Sequence, residues 1–193
     1  MLSPDDYFFV PEYSLAEAVN GKLFRDDGGM FGSIRERISD VPRDVLLKKI
    51  AGNLFEMHQS GVYNFKRCIS HGEAGASVLA INRFVTSTVA VIFNINRKFS
   101  PYYKWQFRAL RELSVLGDLS DVLEYIVTLG STEKDVELKS SVVDSVSDVI
   151  VNKLRDEGFC DAVGGGLIDA AYSVNKKITD PVIRNRSIMY AVH

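Results

Sequence analysis

Between Glu73 and Ile95 the chain is apolar on almost every side. Val78, Leu79, Ile81, Phe84, Val85, Val89, Val91, Ile92, Phe93 and Ile95 leave no polar stripe wide enough to face water. A helix of this kind is stable only when other elements surround it. Its Ala74, Ala76, Ser77 and Ala80 are small enough to let those neighbours approach. Asn82, Arg83, Thr86, Ser87, Thr88 and Asn94 interrupt the stretch, which therefore falls short of the roughly 20 clean apolar residues of a membrane span. The segment is the predicted centre of a helical bundle.

The surrounding pattern supplies the neighbours. After Pro42, which suits a first helical position, Leu46, Leu47, Ile50, Ala51, Leu54 and Phe55 recur at helical steps. This pattern runs past Gly61 to about Ser70, and Gly72 breaks it. Downstream, Ser100 as cap and Pro101 as first residue open a helix to about Leu113, and Asp118–Leu129 forms another. Thr132–Glu157 is long and amphipathic, with Val136, Val143, Val146, Ile150 and Leu154 on its stripe and Gly158 at its end. After Gly164-Gly-Gly166 come two last helices, about Leu167–Ile178 and Asp180–His193, the second opened by Pro181. No useful strand alternation follows residue 31. The expected fold class is all-α: one domain over residues 1–193, with a bundle of six or seven helices over 42–193 and an irregular arm over 1–41. Within the arm Ser14-Leu-Ala-Glu17 reads as a capping box. Phe31–Asp40 reads as a short helix, and Asp27-Gly28-Gly29 permits a small hairpin near 22–31.

The 193 residues carry a net charge of −2, which gives no global basic field for nucleic acid. Two cysteines, Cys68 and Cys160, make no disulfide framework. The first residues lack a basic segment followed by an apolar one. These features fit a cytoplasmic protein that engages no membrane. Several chemistries are set aside for want of their motifs: phosphate loop, dinucleotide fingerprint, nucleophile elbow and zinc-protease helix. Cys68-Ile-Ser-His71, with His58 upstream, offers too few ligands for zinc, so no metal is expected. A remote alternative is a HEPN-like helical ribonuclease, for which Arg186 and His193 have a suitable spacing. His193 is terminal, where fraying is expected.

One cluster carries a binding signal. Gly61-Val-Tyr-Asn-Phe-Lys-Arg67 precedes the central helix and places Tyr63, Asn64 and Arg67 on one helical face. Asn94-Ile-Asn-Arg-Lys-Phe-Ser-Pro-Tyr-Tyr-Lys-Trp105 follows it. Cations at 67, 97, 98, 104, 108 and 111 are interleaved with aromatics in a chain that is slightly acidic overall. Aromatics beside cations suit an anion joined to a stacked base or ring. The candidate substrate-binding residues are Tyr63, Asn64, Arg67, Asn96, Arg97, Tyr102, Lys104 and Trp105. Arg97 and Lys104 are cast for the anion, Tyr102 and Trp105 for stacking, and Asn64 and Asn96 for orientation. The competing reading makes the same residues packing elements of a structural or partner-binding helical protein. In that case the Val136–Leu154 stripe would serve as an interface.

The string Asn96-Arg97-Lys-Phe-Ser-Pro101-Tyr-Tyr-Lys-Trp105 resembles an uncharacterised helical domain found C-terminal to nucleotidyltransferase domains of the DNA-polymerase-β superfamily. Gly21-Lys-Leu-Phe-Arg-Asp26, Ile34-Arg35, Val41-Pro-Arg-Asp44, Gly61–Arg67 and Phe84-Val85 match it in order. The resemblance covers about half the chain. It implies a helical module packed beside a nucleotidyl-transferring domain, helping to form an acceptor pocket and a dimer interface. The catalytic signature of that superfamily, Gly-Ser followed by Asp-x-Asp or Asp-x-Glu, is not completed. After Gly32-Ser33, Asp44 is followed by Val-Leu. Two-metal chemistry needs the second carboxylate. The resemblance therefore implies an accessory substrate- or nucleotide-binding domain without catalysis of its own. It would be a homo-oligomer or half of a split system, with Mg-nucleotide engaged only through a partner catalytic domain.

Overall fold

The computed structural model describes residues 2–192. Among them 72% are helical and none is in a strand. The order is α1 (Pro4–Phe9), α2 (Glu12–Val19), α3 (Met30–Ser39), α4 (Arg43–Met57), α5 (Phe65–Ser70) and α6 (Ala74–Ile95). Then follow α7 (Tyr103–Arg111), α8 (Ser120–Thr128), α9 (Glu133–Asp156), α10 (Leu167–Lys176) and α11 (Pro181–Asn185). A π-helical turn, His58–Asn64, joins α4 to α5 into one rod. Among the described residues, eight α-helices have eight residues or more.

α4 and α6 lie together at the centre, and α10 covers the other side of α4. α4 is the more enclosed of the two. Val45, Leu47, Ile50, Ala51, Leu54 and Met57 are wholly buried, and even Lys48, Lys49, Asn53 and Glu56 are inside. Each of those four finds a partner. Lys48 Nζ donates to Asn175 Oδ1 (2.9 Å), Arg184 O (3.2 Å) and Arg186 O (2.7 Å), tying the C-terminal segment to the core. Burial holds its pKa below the usual lysine value. α6 has the length and hydropathy of a membrane span, and 61% of its apolar window is buried within the bundle. Such burial is what a core helix requires.

The arm is helical and docked. Tyr7 and Phe8 of α1 and Leu15 of α2 enter the core. The Arg35 guanidinium donates to the carbonyls of Ala18, Asn20 and Gly21, so it caps the end of α2. α3 buries no residue.

The structure corrects several expectations. There is no hairpin at 22–31, because the Asp26 carboxylate accepts the Phe31 and Gly32 N–H groups and so caps α3. Ser14 caps nothing: α2 begins at Glu12 after Pro11. α7 begins at Tyr103, not Pro101. Ser100 is held outside it, donating its N–H to Glu12 (3.1 Å) and accepting from Gln106 (2.8 Å). The final helix stops at Asn185. Of the α9 stripe, Val143, Val146, Ile150 and Leu154 are buried against the bundle and Val136 is half-buried.

A groove between α2 and α7

α2 sets Tyr13, Ala16, Glu17 and Asn20 along one face at helical steps of three and four. α7 and its lead-in set Tyr102, Lys104, Trp105, Arg108 and Glu112 along another. The two stripes face each other across a groove of about 630 Å³. Tyr102 is 40% exposed and Trp105 57%. Tyr13 meets Tyr102 edge to face at 5.5 Å, and the Tyr102 and Tyr103 rings lie 4.5 Å apart. The Tyr102 hydroxyl is held above the ordinary tyrosine value, first by its hydrogen bond with Tyr103.

The Lys104 ammonium lies 5.9 Å from the Tyr102 ring centroid. Neither Lys104 nor Arg108 has an ion pair or hydrogen bond among the described residues. The Glu17 and Glu112 carboxylates stand on the same walls. Local charge is therefore balanced, and an anion would be held by short contacts and not drawn from afar.

A second cavity of about 390 Å³ opens behind Tyr102, bounded by α1, α4, α6 and the start of α7. Its polar floor is buried. Lys49 is 5% exposed, and its Nζ pairs with Glu12 Oε1 at 2.8 Å. Asn53 Nδ2 donates to Lys49 O at 2.9 Å. Sequence reasoning missed this floor, because a lysine on an amphipathic helix reads as solvated. A fused Lys48-Lys49 pair inside an apolar helical run was the available signal.

The eight sequence candidates do not form one site. Tyr102, Lys104 and Trp105 line the groove. Arg97 lines a neighbouring cavity of about 390 Å³ beyond the end of α2, with a left-handed backbone at φ 53°. Asn96 is a loop clamp. Its Nδ2 donates to Ile92 O and Val115 O, and its Oδ1 accepts from Val115 N at 3.1 Å. Tyr63, Asn64 and Arg67 sit elsewhere: the helical rod from Lys49 to Tyr63 runs roughly 20 Å at about 1.5 Å per residue. There Arg67 Nη1 donates to the Tyr63 hydroxyl at 2.6 Å, with its guanidinium 5.0 Å from the ring centroid. That pair satisfies itself. Arg111 is likewise engaged, with Asp121 and Glu124.

Of the ribonuclease pair, Arg186 is paired with Asp5 and stacked at 4.4 Å on Tyr190, and His193 lies outside the described residues. Cys68 is half-buried beside an exposed His71.

Fold and groove together define an all-helical protein with an aromatic, cation-bearing cleft. The chain belongs to the family described as a domain of unknown function, DUF4037, whose model matches residues 7–106. The match takes in all of α2 and the first turn of α7, and hence part of both walls of the groove. No curated protein and no solved structure matches the chain.

Proposed function

We propose that the chain is a cytoplasmic, non-catalytic helical binding module, of the kind that accompanies nucleotidyltransferase domains, and that the α2–α7 groove takes an anionic, ring-bearing small ligand such as a nucleotide. The observation that carries this reading is the juxtaposition of Lys104 and Arg108, free of ion pairs among the described residues, with the exposed rings of Tyr102 and Trp105. Cations held beside aromatic faces bind a phosphate and stack a ring at the same time. Mg-nucleotide chemistry would need a partner catalytic domain to supply the paired carboxylates.

A thermal-shift screen tests it, using ATP, CTP, GTP and UTP with and without Mg²⁺, sugar phosphates and aminoglycosides. A ligand at a hundred times its Kd adds about 2.7 kcal/mol of stability. The expected result is a shift with phosphorylated ligands that disappears in Lys104→Ala. A shift unaffected by Lys104→Ala, or none with any compound, overturns the reading.

A second reading, self-association, is favoured by the outer face of the arm. Phe24 is 87% exposed and Met30 71%, with Leu23, Phe31 and Ile34 also exposed nearby. Exposed apolar residues gathered in this way mark interaction sites. Light scattering across a dilution series should then show a dimer that Phe24→Glu converts to monomer. A monomer at every concentration removes this reading.

A further inference from the structure

The cavity behind Tyr102 shares Tyr13, Pro101 and Tyr102 with the groove, so the two form one continuous depression. Its floor differs in character from the groove. Lys49 and Glu12 neutralise each other there at 2.8 Å, and Glu12 Oε2 also accepts the Ser100 N–H at 3.1 Å. This pairing leaves the floor without net charge to draw a phosphate or carboxylate into the space. The floor is thus built for an uncharged group.

It also carries unspent hydrogen-bonding capacity. Ser60, Ser77, Thr88 and Ser147 are buried hydroxyls on helices, and each donates to a carbonyl of its own helical segment. Ser87 does not. It is 4% exposed and lines the cavity, and its hydroxyl makes no hydrogen bond among the described residues. Asn53, 7% exposed, spends its Nδ2 on Lys49 O and leaves Oδ1 as a free acceptor among the described residues. Lys49 spends one of its three N–H donors on Glu12. A donor and an acceptor on α4 and a hydroxyl on α6 therefore line one small space. The same lining includes apolar and aromatic groups from Phe8, Pro11, Tyr102 and Tyr103.

From this geometry we infer that the cavity is the specificity pocket for the neutral ring of the ligand: a heteroaromatic ring with both donor and acceptor edges, as a nucleobase has. The inference rests on the groove reading above, with the anionic end of the same molecule lying across Tyr102 against Lys104 and Arg108. At about 390 Å³ the cavity sits near the small end of ligand pockets, which span about 300–1,000 Å³, and so suits one ring system and not a polymer.

Isothermal titration of the full chain separates the parts. The probes are the four ribonucleoside monophosphates, ribose 5-phosphate and glucose 6-phosphate. The proteins are wild type, Ser87→Leu, which fills the pocket, Ser87→Ala, which only deletes the hydroxyl, and Lys104→Ala. At least one nucleotide should bind at least ~10-fold more tightly than ribose 5-phosphate, which carries the same phosphate without the ring. Ser87→Leu should remove that advantage while leaving ribose 5-phosphate unchanged. Ser87→Ala, which retains the packing, should lose roughly 3- to 10-fold for the nucleotide alone. Lys104→Ala should weaken every probe. Equal binding of nucleotides and ribose 5-phosphate, or an advantage that survives both Ser87 variants, overturns the pocket and spares the groove. Tighter binding of glucose 6-phosphate than of any nucleotide overturns the heteroaromatic assignment. Absence of binding by every probe overturns groove and pocket together.

Discussion

Gly61 packs against the ring of Phe84 with no room for a side chain. A Cβ at position 61 would stand 2.8 Å from Phe84 Cγ and 3.0 Å from Val143 Cγ1, inside normal contact distance on both sides. The π-helical turn over His58–Asn64 carries Gly61 into the seam between α6 and α9. Two effects oppose each other in Gly61→Ala. Alanine gains about 1 kcal/mol in helix propensity, whereas overpacking a filled core costs about 1–3 kcal/mol. The close approach makes the second larger. Urea denaturation should show a net loss, partly restored by adding Phe84→Leu. A gain in stability for Gly61→Ala would mean that the Phe84 ring yields freely.

Asp44 clamps the segment that leads into the chain's last α-helix, which Asp180 itself caps. Its carboxylate accepts from Thr179 N (3.1 Å), Thr179 Oγ1 (2.7 Å) and Asp180 N (2.8 Å). Burial acts to raise its pKa, and the three hydrogen bonds outweigh it, leaving the group below its ordinary value of 3.8. The sign follows from linkage: the stabilisation is complete above 3.8 and is lost as pH falls through the folded value. Asp44→Asn, which turns charge-assisted hydrogen bonds into neutral ones and puts a donor where a carboxylate oxygen accepted, should therefore cost about 1 kcal/mol at neutral pH. The gap between the two proteins should close progressively below pH 3.8. Chemical denaturation at a series of acid pH values reads this directly. A gap that stays constant through that range would show that the charge plays no part.

Arg97 ends α6 in the conformation glycine prefers. With φ at 53° it permits the paired closing bonds Lys98 N to Phe93 O and Arg97 N to Asn94 O, both 3.0 Å. A non-glycine residue in this region costs about 1–2 kcal/mol. Arg97→Gly should recover roughly 1 kcal/mol, a rise of about 2–4 °C in Tm for a chain of this size. The ligand-induced shift should persist, since Arg97 lies outside the Lys104 groove. A lost ligand shift would place Arg97 on the anion.

How far the chemistry could be read from the chain follows from these cases. The all-helical class was legible because the apolar period changes little from Leu46 to Leu154. The α7 half of the groove was legible too, since Tyr102, Lys104 and Trp105 stand within one helical turn. Its other wall was not: a helix near Ser14 is readable, but nothing local says that Tyr13 will meet Tyr102. Tyr63 and Arg67 were joined to the same site because sequence spacing does not report which end of a long helix a loop reaches. α6 alone spans about 33 Å at 1.5 Å per residue. Asn96 has the same side-chain chemistry whether it clamps Val115 or holds a ligand, so only its surroundings could decide. Much of the motif that carries the resemblance works in the same structural way. Asp26 and Arg35 cap helices, Asp44 holds the Thr179–Asp180 segment, and Gly61 and Phe84 form a joint.

Trp105 offers the most direct view of the groove, because it is the chain's single tryptophan. With 57% of its surface exposed, its emission in the free protein should lie toward that of a hydrated indole, and acrylamide should quench it readily. A ring-bearing anion held by Lys104 and Arg108 would cover the indole face. Saturating nucleotide should then lower the quenching constant and change the emission, and Lys104→Ala should abolish both effects at the same concentration. The change cannot come from another tryptophan, so the signal localises the ligand. Nucleotide binding detected by calorimetry with Trp105 unaffected would place the ligand away from the α2–α7 groove.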